Sequence, residues 1–174
     1  MIKEDQLNNF FINGYVHGTL TDNIELDYFD QFNFIDCSDG DASLSTKIPK
    51  EAKDKLTQIH KLLGEDIISL IFPNFEYKEC SMWSNVDSGS SVWHNDFLAG
   101  SKTFNSNILV YLDDTLENEN CIEVRNQTNE NKLFPRRGDF VWLNQQNIFE
   151  HKATYNKGSR RVLSFEYYID GLNN

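Results

Sequence analysis

Cysteine is scarce in this chain of 174 residues: Cys37, Cys80 and Cys121 are odd in number, far apart and never in a CxxC pair. That excludes a disulfide framework and a thiolate zinc ribbon, and the three read as reduced structural thiols of a cytoplasmic protein. Basic residues are also in deficit, 16 Lys and Arg against 27 Asp and Glu, for a net charge of −11. Such a balance argues against a broad nucleic-acid or anionic-membrane footprint, while leaving room for a local basic pocket. No apolar run reaches the roughly 18 residues of a transmembrane helix, and the opening MIKEDQLNNFF lacks a signal-peptide pattern. No repeat or low-complexity linker divides the chain.

What is present is an aromatic content of 13%, enough for a globular core. A single domain is expected over 1–174, with 1–65 as helical support and 66–170 as the core. In the first 20 residues Leu7, Phe10, Phe11 and Tyr15 recur at helical spacing, with Gly14 weakening the end. Residues 21–48 read as loop with one short strand. A clearer helix opens at Pro49, carries Leu56, Ile59, Leu62 and Leu63 on one stripe, and is expected to stop at Gly64.

From residue 66 the texture changes to short runs rich in β-branched and aromatic residues: DIISLIF, EYKECSMWSNV, SVWHNDF, NSNILVYLDD, NCIEVRNQ, DFVWLN, FEHKATY and RRVLSFEYYI. Such runs after two helices indicate a mainly β protein. The expected architecture is a double-stranded β-helix (a cupin-like jelly roll) braced on one sheet by two N-terminal α-helices.

Within SVWHNDF, His94 and Asp96 stand at i and i+2, which in an extended strand turns both side chains to one face. The only other histidine of the strand-rich half is His151. Two histidines and a carboxylate are the set that holds non-haem Fe(II) on one face and leaves positions open. An HxD tripeptide recurs by chance, so the weight comes from the residues C-terminal to it. A chelating 2-oxoacid with a distal carboxylate needs a cation held away from the metal, and arginine suits it, being always charged and bidentate. Arg160 and Arg161 lie nine and ten positions beyond His151. Alternation puts Arg160, Val162, Ser164 and Glu166 on the face expected to line the barrel, and Arg161, Leu163, Phe165 and Tyr167 on the helix side. Arg160 is therefore the first choice of anchor, and Arg161 stays open as its rival.

The series WHNDF, NILVYLDD, FPRRGDFVWLN, FEHKA and GSRRVLSFEYY, over residues 77–169, resembles the Fe(II)/2-oxoglutarate-dependent dioxygenase superfamily and most closely its prolyl 4-hydroxylase-like branch. The resemblance implies metal ligation by His94, Asp96 and His151. It also implies 2-oxoglutarate binding by Tyr111 and the basic anchor, with Ser164 matching a hydroxyl residue near the same carboxylate. Fe(II), 2-oxoglutarate and dioxygen are the implied cofactors and co-substrates, with ascorbate a candidate reductant. One departure is Asn120-Cys121, where the family commonly has a Gly-Gly pair. The carboxylate of Asp96 sets the chain apart from related halogenases, which replace it with a small residue. The implied activity is oxidative decarboxylation of 2-oxoglutarate to succinate coupled to C–H hydroxylation. Its substrate is a peptidyl proline or, alternatively, a free amino acid or other small metabolite. A catalytically silent ligand-binding jelly roll is the rival from another class.

Met82, Trp83 and Trp142, with Trp93, are candidates for a substrate pocket, although apolar residues of this kind in a β protein more often form core. The polar stretch NVDSGSSV, residues 85–92, reads as either a flap or a plain connection. Arg136 and Arg137 read as a solvated turn, His60 as structural and His17 as exposed. Neither the oligomeric state nor the substrate can be read from these residues.

Overall fold

The computed structural model describes residues 4–20, 24–36, 48–85, 89–90, 92–96, 104–115, 120–155 and 160–172. Helix α1 spans Glu4–Ile12 and α2 spans Lys50–Asp66; 3₁₀ turns cover Leu26–Gln31 and Ile68–Leu70. The strands are β1 (Tyr15–Thr19), β2 (Ile35–Asp36), β3 (Phe75–Asn85), β4 (Gly89–Ser90), β5 (Ser106–Tyr111), β6 (Asn120–Arg125), β7 (Glu130–Leu133), β8 (Asp139–Asn144), β9 (Glu150–Tyr155) and β10 (Arg160–Ile169). They form a six-stranded sheet in the order β1-β8-β5-β10-β3-β2 and a four-stranded sheet in the order β4-β9-β6-β7. Two facing, largely antiparallel sheets with this interleaved order make a double-stranded β-helix, the architecture expected from the strand count.

The large sheet is buried on both faces, and its side chains sort by alternation. Ile108 and Val110 of β5, Phe140 and Trp142 of β8, and Leu163, Phe165 and Tyr167 of β10 join Leu56, Ile59 and Leu63 of α2 in one core. Leu109 and Tyr111, Val141 and Leu143, and Val162 point the other way, into a second core with Ile122 and Val124 of the small sheet. β5 is buried at every position, which is why SNILVY reads as a continuous apolar run rather than an alternating one.

Several boundaries differ from the sequence reading. The first helix ends at Ile12, because Gly14 takes a positive φ of 84° and redirects the chain, so that Tyr15–Thr19 pairs with β8 instead. Residues 1–65 thus supply two edge strands besides the helices. Gly64 does not stop α2, which runs on to Asp66; the missing side chain lets Phe75 and Tyr77 approach, and a Cβ there would lie 2.7 Å from Tyr77 Cε1. DIISLIF is not a strand. No turn signal separates it from α2, the Ile67 N–H donates to Leu63 C=O, and Ile67 and Ile68 are buried where the helix exits. The strand β7 was unforeseen, since ENKL is mostly polar. Of the loop 85–92, residues 86–88 and 91 lie outside the described residues, as does Cys37.

Gly14 couples the N-terminal segment to the small sheet, since a Cβ on it would lie 2.5 Å from Cδ1 of buried Phe149, one residue before β9. Gly138 also has a positive φ, 88°, but nothing within 4 Å of its missing Cβ. Gly138→Ala should therefore cost only backbone strain, about 1–2 kcal/mol, whereas Gly14→Ala adds an overpacking cost of about 1–3 kcal/mol. Urea unfolding of the two variants checks the order; equal losses would mean that the Phe149 contact yields freely.

Candidate metal centre and anion pocket

His94, Asp96 and His151 come together with their ligand atoms all within 4.8 Å of one another. The strand geometry expected for His94 and Asp96 is not what achieves this. His94 makes only an isolated antiparallel bridge to His151, the two exchanging backbone hydrogen bonds of 3.0 and 2.8 Å, and Asp96 already lies in a turn. Between them, buried Asn95 donates through Nδ2 to the carbonyls of Gln146 and Phe149, pinning the turn to the start of β9. Phe97 lies outside the described residues.

His94 Nδ1 lies 2.7 Å from the Val92 carbonyl, so Nδ1 carries the proton and Nε2 is left facing Asp96 Oδ1 at 3.3 Å. His151 Nε2 lies 3.6 Å from Asp96 Oδ2, and the two rings are 4.4 Å apart. Buried Gln145 holds the carboxylate from behind: its Nε2 donates to Asp96 Oδ2 at 2.9 Å and its Oε1 accepts from the Asp96 N–H at 3.2 Å. On the outer face of the small sheet, Trp93 is flanked by Arg125 Cζ at 4.2 Å and Lys152 Nζ at 4.7 Å from its ring centre. Trp93 therefore steadies the segment from outside instead of lining a pocket.

Burial holds the His151 imidazole down to about 4, with Asp96 opposing and His94 and Arg160 reinforcing, so at neutral pH it is an uncharged donor of a lone pair. Burial also pushes the Asp96 carboxyl up, but charge and hydrogen bonds from His151, His94 and Asn107 outweigh it and leave the group below the ordinary carboxylate range. The His94 imidazole is raised, chiefly by its hydrogen bond to Asp96. Two neutralisable imidazoles and an ionised carboxylate are the donor set suited to a divalent transition metal.

Beside this cluster lie two buried polar groups without protein partners. The Tyr111 hydroxyl and the Arg160 Nε are both fully enclosed and unbonded. Arg160 donates from Nη1 to the Cys121 carbonyl at 3.3 Å and lies over the rings of Trp83 and Tyr111, 5.4 and 5.6 Å from their centres. Among the described residues no carboxylate pairs with it. Burial raises the Tyr111 phenol above its ordinary value, so it stays a neutral donor. A buried guanidinium with an idle N–H beside an idle hydroxyl is the environment of a bound anion. Arg161 differs: it faces the helix side and is engaged by Asp113 at 2.7 Å and Asp30 at 2.9 Å. Ser164 Oγ donates to Asn107 Oδ1 at 3.0 Å, linking the barrel face of β10 to β5.

The pocket candidates divide. Trp83 packs on the barrel interior beside Arg160. Met82 and Trp142 belong to the helix-side core; Trp142 stacks 4.2 Å from Phe10 and donates from Nε1 to Ser106 Oγ. His60 is buried and bonded to the Glu166 carbonyl, and His17 lies in β1 beside Asp139 rather than at a helix exit. Sequence reasoning gave no part at the centre to Asn95, Asn107 or Gln145. Each is a polar residue at the end or outside of a strand, where amides are ordinary, and no local spacing singles them out.

No protein-family model matches the sequence, and no curated protein matches it significantly. Solved structures do match. An oxidoreductase of the 2OG-Fe(II) oxygenase family from Burkholderia pseudomallei aligns over 100% of this chain and 94% of its own, at a TM-score of 0.71 and 15% identity. HygX from Streptomyces hygroscopicus, with nickel, 2-oxoglutarate and hygromycin B bound, aligns over 98% of this chain and 88% of its own, at a TM-score of 0.71 and 14% identity. A prolyl-4-hydroxylase of Pseudomonas putida aligns over 96% and 98%, at a TM-score of 0.63 and 12% identity. The fold is thus the double-stranded β-helix of the 2-oxoglutarate-dependent iron oxygenases. Within that fold, a prolyl hydroxylase is among the proteins this chain is similar to.

The buried groups set the pH profile of the metal-free protein. His60 and His151, both held near 4 chiefly by burial against an ordinary 6.5, leave the unfolded state with more bound protons between those values, so stability rises with pH there. Glu166 acts oppositely: burial, then Glu79 and Asp96, raise it to about 8 from 4.5, so stability falls as pH climbs between those values. Two groups outweigh one up to pH 6.5; above it Glu166 acts with the raised His94, whose contribution is lost in the same direction. Thermal unfolding without metal should therefore show maximal stability near pH 6.5, and Glu166→Gln should flatten the alkaline decline. A profile still rising from pH 6.5 to 8 would contradict this assignment.

Proposed function

We propose that the protein is an Fe(II)- and 2-oxoglutarate-dependent dioxygenase that hydroxylates an aliphatic C–H bond of a peptide or small molecule. The observation that carries this reading is the juxtaposition of the His94, Asp96 and His151 cluster with the buried Arg160 guanidinium, which no carboxylate pairs among the described residues, and the unbonded Tyr111 hydroxyl inside one barrel. Each half alone has ordinary explanations. Together they suit a ligand that chelates a metal at one end and carries a carboxylate at the other.

When bound, iron and 2-oxoglutarate supply the chemistry: one dioxygen, one 2-oxoglutarate and one substrate R–H become succinate, carbon dioxide and R–OH. The chain's own residues do the rest. His94 and His151 offer neutral imidazole nitrogens, fixed by the Nδ1 hydrogen bond of His94 and the burial of His151. Asp96 offers an ionised carboxylate. Arg160 and Tyr111 would hold the distal carboxylate, with Trp83 shielding it from water and Ser164 bracing the same strand face. The apolar lining of Leu109, Val124, Val141 and Val162 excludes bulk water, which strengthens those charge-assisted bonds.

Likeness to a prolyl-4-hydroxylase favours a peptidyl proline as substrate, and likeness to HygX, solved with hygromycin B, favours a small molecule. Both fit an open centre of this kind. The net charge of −11 weighs against nucleic acid.

Anaerobic titration with Fe(II) and then 2-oxoglutarate should produce a weak visible charge-transfer band. His94→Ala with Asp96→Ala should abolish it. Arg160→Met should raise the 2-oxoglutarate concentration needed by roughly 100-fold or more, as expected for loss of a buried charge pair of about 3–5 kcal/mol. Arg161→Met should leave it within about threefold, since that side chain is already held by half-exposed acids. No band in folded wild-type protein would leave a ligand-binding jelly roll; an equal effect of both arginine variants would remove Arg160 from its assigned role.

A further inference from the structure

Gln145 stands one residue past the end of β8, fully buried, and among the described residues its side-chain hydrogen bonds both go to Asp96. Its backbone N–H is already satisfied by the Asn105 carbonyl at 3.1 Å, which fixes where the side chain begins. Both ends of that side chain then close on one residue, Nε2 to the Asp96 carboxylate and Oε1 to the Asp96 N–H. A carboxylate in a turn, outside any ladder, otherwise keeps its χ1 and χ2 freedom and can offer a metal one oxygen or two. The paired contact removes that freedom. It also uses a lone pair of Oδ2, the oxygen 3.6 Å from His151 Nε2, while Oδ1 is turned to His94.

We propose that Gln145 is a positioning residue for the metal centre, holding the Asp96 carboxylate in one orientation between His94 and His151. The proposal rests on the metal-centre reading above and adds to it a residue that never touches the metal. The amide acts in two ways. As a donor it fixes the carboxylate orientation; as an acceptor it fixes the turn that carries it. Asn107, which accepts from Ser164 Oγ at 3.0 Å, is a further amide close enough to lower the Asp96 carboxyl, but the two hydrogen bonds that fix the carboxylate and its turn are those of Gln145.

The test uses Zn(II) and Co(II) as probes and requires no substrate. Gln145→Met keeps the length of the side chain and removes both hydrogen bonds. Zn(II) affinity should fall roughly 10- to 100-fold, the usual effect of losing an outer partner of a ligand. The visible absorption of the Co(II) form should change in band position or intensity, because a released carboxylate alters its binding mode; a residue that merely supported the fold would lower the melting temperature and leave that spectrum unchanged. If wild type binds Zn(II) and the variant matches it in affinity and Co(II) spectrum, the positioning role is overturned and the metal centre stands. If wild type binds neither ion, the metal centre itself is overturned, and this role with it. Should the variant fail to fold, the wild type decides: the Nε2 protons of Gln145, followed by ¹⁵N-resolved NMR, should exchange slowly and shift on adding Zn(II). Rapidly exchanging protons, or a resonance indifferent to the ion, would overturn the proposal.

Discussion

The register of β10 against β3 and β5 is the constraint on which the rest of the structure depends. On this strand, side chains of opposite character alternate: Leu163, Phe165 and Tyr167 serve the core under α2, while Arg160, Val162 and Ser164 face the barrel. A slip of one residue would drive Arg161 into the barrel and Leu163 with it, and would expose the helix-side core to a guanidinium. That register is held twice over on the correct face. Asp113 and Asp30 take Arg161, and Phe34 covers it at 5.5 Å, so the second arginine marks the outside as firmly as the first marks the inside.

Burying the Arg160 guanidinium with no carboxylate beside it among the described residues, the Tyr111 hydroxyl with no hydrogen-bond partner, and the His151 imidazole away from water runs against stability. Desolvation is the leading effect at His151, Asp96 and Tyr111 alike. Such groups persist where a ligand restores what burial removes: a metal would replace the repulsion and desolvation at the cluster, and a carboxylate would replace the missing counter-charge of Arg160. The helix-side core, with Phe10, Trp142 and Phe72 in mutual ring contact, buries His60 and Tyr167 with hydrogen-bond partners for both and supplies the stability that the barrel interior gives up.

Much of this was legible in the sequence where one physical rule acted alone. Strand alternation separated Arg160 from Arg161, and the helical stripe of α2 was plain. Reading failed where two rules met. Gly64 is a helix breaker by propensity, but its lack of a side chain is what lets Phe75 and Tyr77 pack against α2, and packing prevailed. DIISLIF has the composition of a strand, yet continues from a helix without a turn. Met82 and Trp83 are neighbours on one strand, so only one of them could face the barrel; composition could not say which, and the pairing of Trp83 with Val162 and Met82 with Leu163 does.

The three residues of the candidate metal centre come together for a reason that their spacing only partly indicates. The i, i+2 spacing of His94 and Asp96 suggested a shared strand face, whereas one bridge residue followed by a turn delivers both side chains to the same place. A turn is a softer support than a ladder, and this one lies among amides: Asn95 bonds the backbone before β9, Gln145 bonds Asp96 itself, and Asn107 is close enough to lower the Asp96 carboxyl. Their identities leave little trace in sequence because an amide is acceptable almost anywhere on a surface. Only burial distinguishes these three, all at most 5% exposed, from amides whose side chains reach water. The candidate ligands are thus legible by type and order, and the amides around them only by their burial, because burial is a property of the fold and not of the spacing along the chain.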